Sequence, residues 1–270
     1  MPELPEVEVT RRGIEPRVVG RRLTAATLRT PALRYPLPNE LGARLAGAVL
    51  LGVRRRGKYL LFDFDAGHLL LHLGMSGSLR LVAPDEPPAK HDHVDLVFGD
   101  LALRLRDPRR FGALLWIEGD PFAHPLLASL GMEPLERAFG VETLAAALAG
   151  RRTAIKPALM DSRLVVGVGN IYASESLFLA GIDPRRPSGR VSSGRLELLV
   201  PAIKKTLRAA ITAGGSTLRD FAHADGGFGC FQMRHRVYDR EGQPCVQCGS
   251  PIRAIRQGQR STYFCVRCQK

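Results

Sequence analysis

The hydrophobic rhythm of the chain changes part-way along its length. Between about Val49 and Glu118, short apolar runs alternate with turn signals: KYLLFDF, Asp65-Ala66-Gly67, HLLLHL, and then HVDLVF, Gly99-Asp100, LALRLR. Runs of strand length separated by such tight turns predict an antiparallel sheet built of hairpins. Ahead of it, Leu4-Pro5-Glu6-Val7-Glu8 places Pro and acids where a helix starts, and Arg11-Arg12-Gly13 places bases and Gly where one stops. A short leading helix follows. Beyond Pro121 the period becomes helical, in VETLAAALAG, IKPALMD, NIYASESLFLAG and GRLELLVPAIKKTLRAAITAGG. Strand signals return only near the end. Residues 214–230 carry Gly214, Gly215, Gly226, Gly227 and Gly229, a density that predicts a mobile loop. The fold class is α+β, in three parts: 1–132, 133–236, and a cysteine-bearing unit at 237–270.

Charge narrows the partner. A formal net charge of +13 and a pI near 10.2 favour a polyanion, because Lys and Arg that neutralise phosphates release condensed counterions. With 33 arginines against 6 lysines, a coding bias toward arginine is the other reading of that charge. No apolar stretch approaches a membrane span, and Glu3, Glu6, Glu8 and three early arginines stand where a secretion signal would need an apolar run. A cytoplasmic chain with no membrane partner is expected.

In that compartment the cysteines read as metal ligands. Cys245, Cys248, Cys265 and Cys268 form two Cys-x2-Cys pairs sixteen residues apart, and Gly249 follows the second cysteine, where a tight knuckle needs free backbone geometry. Four thiolates fill a tetrahedral shell, so a single structural Zn2+ is expected. Between the pairs, IRAIR, Gln257-Gly258-Gln259 and RSTYF read as a hairpin with Arg260 beside its tip, placed either to reach a phosphate or simply to face solvent.

Other constellations each carry two readings. Gly167-Val168-Gly169-Asn170 is a glycine-bearing turn feeding a helix capped by Asn170, which suits either a phosphate or an ordinary capped helix. Asp107-Pro108-Arg109-Arg110-Phe111-Gly112 sets two arginines and an aromatic between strands, as a groove-entering wedge or as a buried Phe111 with solvated arginines. Met75 is a second wedge or a core residue. At the N-terminus, removal of Met1 would leave Pro2 as a secondary amine with a pKa of about 8, nucleophilic near neutrality, with Glu3 and Glu6 placed to handle protons. The alternative is a helix-leading Pro with dipole-favoured acids.

Taken together, MPELPEVE, RRGKYL, HLGMSGSLR, KHDHVDL, DPRRFG, TAIKPALMD, VGVGNIYASESLF, GGSTLRDF and the terminal cysteine unit resemble the bacterial formamidopyrimidine-DNA glycosylase family over essentially the whole chain. The resemblance implies an N-terminal β-sandwich with a leading helix, then a helical domain with a helix–two-turn–helix element and a zinc-ribbon hairpin, with DNA in the cleft between the domains. It implies a monomeric, nucleoid-associated enzyme that removes oxidised purines from double-stranded DNA and cleaves the strand by β,δ-elimination. Pro2 would be the Schiff-base nucleophile, Glu3 the acid, and Glu6 its support. Lys58 would act in β-elimination, and Arg260 would hold the lesion phosphate and assist δ-elimination. His91, Arg109, Arg151, Lys156 and Asn170 match DNA-contacting positions, while Met75, Arg109 and Phe111 match the triad that fills the gap left by the everted base. The glycine-rich loop would close over that base. In a chain using arginine for most of its cations, Lys58 and Lys156 stay lysine, the cation that can lose a proton.

Two rivals remain. One is an endonuclease VIII-like glycosylase for oxidised pyrimidines, which shares the nucleophile and the zinc unit. The other is a non-enzymatic zinc-ribbon protein that binds damaged DNA and needs neither a processed Pro2 nor Lys58.

Overall fold

The computed structural model of the protein describes residues 1–215 and 235–270, and it divides the chain into two compact units. The first holds Met1–Ala128, the second Ser129–Ala213 together with the described residues from His235 on. The glycine-rich segment lies almost wholly at 216–234, outside the described residues.

In the first unit, helix α1 (Leu4–Val18) precedes eight strands. The helix runs past Gly13, the expected stop, because Val7, Ile14 and Val18 continue one apolar stripe into the core, each at 0% exposure. Strands β2 (Leu50–Arg56), β3 (Tyr59–Phe64), β4 (Gly67–His72) and β8 (Ala113–Ile117) form one antiparallel sheet in the order β2-β3-β4-β8. Strands β1 (Ala25–Leu28), β5 (Ser78–Val82), β6 (Asp92–Phe98) and β7 (Leu101–Arg106) form another, in the order β1-β6-β7-β5. The residue pattern predicted one sheet and the structure has two. Both expected hairpins are present, Phe64 pairing with Gly67 and Phe98 with Leu101, but they belong to different sheets. Val53, Leu60, Phe62 and Leu71 from one sheet and Val94, Leu96, Phe98 and Leu103 from the other share a single core, so the sheets pack face to face as a sandwich. Short helices α2 (Leu41–Leu45) and α3 (Pro125–Ala128) belong to the same unit.

The second unit contains α4 (Val141–Leu148), α5 (Ile155–Met160), α6 (Asn170–Leu179) and α7 (Ser193–Thr212), then the hairpin β9 (Arg253–Gln257) and β10 (Arg260–Phe264). The four apolar periods of the sequence are these four helices. Phe178 of α6 packs with Val237, Cys245, Ile252 and Cys265, joining the hairpin to the helices. Fully buried Glu175, also on α6, accepts hydrogen bonds from the backbone N–H groups of Arg236, Val237 and Tyr238 at 2.9, 2.9 and 3.0 Å. Among the described residues, no helix is long and apolar enough to cross a membrane.

Candidate functional site

The N-terminal segment is held in place by its own helix. Pro2 and Glu3 are buried, Glu3 occupies the N-cap of α1, and Glu6 reaches back so that its Oε2 accepts the Glu3 backbone N–H at 2.8 Å. Glu6 is itself at 0% exposure. It therefore orients the Pro2–Glu3 segment. The helix is tied to β2 by Glu8, whose carboxylate accepts from Arg11 (3.0 and 3.1 Å), Arg12 (2.8 Å) and Arg55 (3.2 Å).

Lys58 sits in the β2–β3 turn behind Gly57, whose φ of +57° suits glycine, and Arg56 and Tyr59 close that turn as a pair. Tyr59 pairs across the sheet with His72, their rings 4.8 Å apart. The Nδ1 of His72 accepts the Gly74 N–H at 3.0 Å, which leaves Nε2 to carry the proton of the neutral ring. Met75 is half-buried. Phe111 is 47% exposed with the Arg109 guanidinium over its ring at 4.9 Å, so it is a surface aromatic. Arg109 is exposed too, and His91 is half-buried with a φ of +76°.

In the second unit, Arg151 is exposed just beyond α4, its Nε donating to the Ala147 carbonyl at 2.8 Å. Arg260 is exposed at the start of β10, paired with Gln257 across the hairpin tip. Asn170 is the first residue of α6; Gly169 is its N-cap, contrary to the expectation that Asn170 caps the helix. The Asn170 side chain serves another partner. Its Oδ1 accepts from Lys156 Nζ at 2.6 Å, and the same ammonium donates to the Ser261 carbonyl and Thr262 Oγ1, each at 2.8 Å. Lys156 is 1% exposed, its ammonium turned to acceptors of its own unit. Three acceptors around one ammonium explain why this position is lysine better than proton loss does, since a planar guanidinium cannot serve that geometry. Lys156 thus locks the strand carrying Arg260 to the start of α6.

The four cysteines converge, their Sγ atoms all within 4.8 Å of one another, with Cys245–Cys268 at 3.8 Å and Cys248–Cys265 at 3.5 Å. Tetrahedral bonds of about 2.3 Å to a central zinc require S···S edges of about 3.8 Å, so the set fits the ion. Gly249, at φ +71°, turns the first knuckle, and its N–H donates to the Cys245 carbonyl at 2.9 Å. Buried Gln269 secures the second, accepting the Cys265 N–H at 2.9 Å and donating to the Ile182 carbonyl at 2.9 Å. Four thiolates fill a tetrahedral shell and leave no open position, so a zinc held here is structural.

These features have relatives. A model of the formamidopyrimidine-DNA glycosylase N-terminal domain matches residues 1–114, its H2TH domain residues 130–222, and a zinc finger found in FPG and IleRS residues 242–270. The formamidopyrimidine-DNA glycosylase of Aromatoleum aromaticum is 60% identical over 270 residues, covering 100% of both chains. The chain belongs to the formamidopyrimidine-DNA glycosylase family. It is thus a member of a base-excision-repair family of DNA glycosylases with AP lyase activity. The MutM (Fpg) protein of Thermus thermophilus superposes with a TM-score of 0.89 at 41% identity, covering 99% of this chain and 98% of that one. Lactococcus lactis Fpg was solved with an abasic-site DNA (TM-score 0.91, 36% identity, 99% of each chain). It was also solved with an oxidised-pyrimidine DNA (TM-score 0.90, 36% identity, 100% of each chain).

Two groups in this glycosylase went unread in the sequence and bear on its acid stability. Burial, then the charges of Lys58 and Arg34, push the His72 pKa down from 6.5 to about 4. Burial alone would raise the Glu8 pKa, but hydrogen bonds from Arg11 and Arg12 and the charges of Arg11 and Arg55 outweigh it and bring it from 4.5 to about 2. Both folded-state values lie below the unfolded ones. As pH falls from 6.5 toward 4, the unfolded chain takes up a proton at His72 that the folded chain refuses, and stability drops; Glu8 adds its loss between 4.5 and 2. Each full pH unit of such a window is worth about 1.4 kcal/mol. Thermal midpoints should therefore fall between pH 6.5 and 4, and His72→Gln should fall less than wild type; equal slopes would show that His72 does not titrate in this window.

Proposed function

We propose that this chain is a bifunctional glycosylase and AP lyase for oxidised purines in double-stranded DNA, 8-oxoguanine and formamidopyrimidines, acting as a monomer on the chromosome at the bacterial nucleoid. The observation that carries the reading is the buried Pro2–Glu3 segment fixed by Glu6 at the head of α1. With Met1 removed, the Pro2 nitrogen lone pair forms a bond to C1′ of the lesion nucleotide while the glycosidic bond breaks and the base leaves with a proton. Glu3 supplies a proton to the departing base or to the ring oxygen. The nitrogen gives up its own proton, and the C1′–O4′ bond then breaks so that O4′ ends as a hydroxyl and the nitrogen is left double-bonded to C1′. The resulting iminium acidifies C2′–H; loss of that proton breaks the C3′–O bond, and a second elimination breaks C5′–O. Lys58 serves the first elimination and Arg260, holding the phosphate, the second. Asn170, Arg151, His91 and Arg109 contact the backbone, while Met75, Arg109 and Phe111 occupy the space the base vacates. Lys156 serves DNA binding indirectly, through Arg260 and Asn170. The parts 1–132, 133–236 and 237–270 correspond in this reading to nucleophile, helix–two-turn–helix and zinc hairpin.

The test is cleavage of duplexes that each carry one defined lesion. The expected order places 8-oxoguanine and ring-opened purines above an oxidised pyrimidine in single-turnover rate. A chain that prefers the pyrimidine is the endonuclease VIII-like alternative. Binding without strand cleavage on any duplex would identify the non-enzymatic one.

A further inference from the structure

Asp107 is at 0% exposure, although the residues that follow it, Pro108 to Phe111, are all exposed. A carboxylate in that position is costly unless its oxygens are met by donors. Here they are met from two different segments. Oδ1 accepts from Ser76 Oγ at 3.0 Å and from the Arg109 N–H at 3.3 Å, and Oδ2 accepts from the Gly112 N–H at 2.8 Å. The Asp107 backbone adds a third segment: its N–H donates to the His91 carbonyl at 3.0 Å, and its carbonyl lies 3.0 Å from His93 Nε2 and accepts the Arg110 N–H at 3.2 Å. One residue therefore joins the Met75 turn, the His91 turn and the Arg109–Phe111 loop.

The backbones of two of these segments also interlock. Gly74 has a φ of +65°, and a Cβ placed there would lie 2.5 Å from both Gly112 N and Phe111 C. A Cβ on Gly112 would lie 2.9 Å from Asp107 Oδ2 and from the His72 carbonyl oxygen. Neither glycine can move away without opening the contact. His91 and Arg110 both have positive φ, +76° and +53°, a conformation uncommon among non-glycine residues. Both residues are hydrogen-bonded to the Asp107 backbone.

We propose that Asp107 is a positioning residue that sets Met75, Arg109 and Phe111 as one pre-assembled insert, so that the three side chains enter the duplex together. The inference rests on the reading of those three residues as the gap-filling triad. An insert assembled in advance spares the ordering of three separate side chains at the moment the base leaves. The chemistry of the site favours aspartate over its amide. Three donors face the carboxylate, and Asp107→Asn turns one acceptor oxygen into an N–H2 that opposes a donor.

The experiment compares single-turnover rates on two duplexes, one with 8-oxoguanine paired to cytosine and one with an abasic site, for wild type, Phe111→Ala, Asp107→Asn and Ser76→Ala. The readout is the ratio of the two rates, because a loss of folded enzyme lowers both and cancels. Phe111→Ala should depress excision about tenfold more than abasic-site cleavage, in keeping with an eversion cost of a few kcal/mol. Asp107→Asn should shift the ratio in the same direction and by a similar factor, and Ser76→Ala, which removes one of the three donors, by less. Should Asp107→Asn fail to fold, Ser76→Ala decides: a shifted ratio supports the proposal and an unshifted one overturns it. If Phe111→Ala shifts the ratio and Asp107→Asn slows both duplexes equally, the positioning role is wrong while the triad stands. If Phe111→Ala leaves the ratio unchanged, the triad reading fails and the proposal with it.

Discussion

Leaving any residue ahead of Pro2 will abolish imine formation and lower strand cleavage by on the order of a thousandfold or more, the scale on which removal of a covalent nucleophile acts. With Met1 or a tag in place, the Pro2 nitrogen is a tertiary amide whose lone pair is delocalised into the carbonyl. Once freed, it is a secondary amine with a pKa of about 8, partly neutral at physiological pH. Pro2→Gly keeps an amine, so it should retain some trapping but less than wild type: Gly lacks the ring that fixes the chain direction ahead of Glu3, and a primary amine differs in nucleophilicity. Glu6 matters for the same reason. Its carboxylate holds the Glu3 N–H at 2.8 Å, so Glu6→Ala would release the segment from the helix head. Single-turnover cleavage of a lesion duplex by the tagged and processed proteins measures the effect. Equal rates would place the nucleophile elsewhere.

The second large effect concerns zinc. Apart from the four cysteines, the core around the metal is a handful of side chains, Phe178, Val237, Ile252 and a partly buried Tyr263, too few to hold a hairpin without the ion. Metal binding at such a site is largely folding free energy, about 10–16 kcal/mol in small zinc units. Cys248→Ser should take zinc content from one per chain to near zero and weaken lesion-DNA binding by about a hundredfold, since Arg260 rides on the hairpin and Asn170 is tied to it through Lys156. The sandwich should not notice. Trp116, the sole tryptophan, packs on the first unit's core, so its fluorescence unfolding transition reports that unit alone. Zinc content unchanged in Cys248→Ser would refute the ligand assignment. A Trp116 transition that shifts with metal loss would show that the first unit depends on the zinc.

What the sequence made legible follows from how local each signal is. Hairpins β3–β4 and β6–β7, the four long-period helices and the cysteine knuckles are written in neighbouring residues, and they stand where periodicity and spacing placed them. The partition into two sheets is not local: β8 pairs with β4 across the whole of β5–β7, and nothing in ALLWI names its partner. Strand β1 was unread because AATL has neither length nor alternation, and it forms only by lying along β6. The overrun of α1 past Gly13 reflects tertiary burial of Ile14 and Val18 winning over a local stop signal. Among the site residues, Phe111, Arg109, Arg151 and Arg260 are exposed. Two others changed meaning. Asn170 is a typical cap by composition, yet it gives its oxygen to Lys156, and Lys156 uses three donors inside the unit. His72, Asp107 and Glu175 lie in motifs the sequence offered, but their partners were not legible, because a polar residue declares what it meets only once the groups around it are folded.

The most direct measurement is the site of the covalent adduct. Borohydride reduction during turnover on a lesion duplex, followed by proteolysis and mass spectrometry of the cross-linked peptide, places the reduced imine on one amine. The account predicts a single adduct on the N-terminal peptide beginning at Pro2, with Met1 absent. An adduct on Lys58 or any other lysine, or on a chain that still carries Met1, would contradict it.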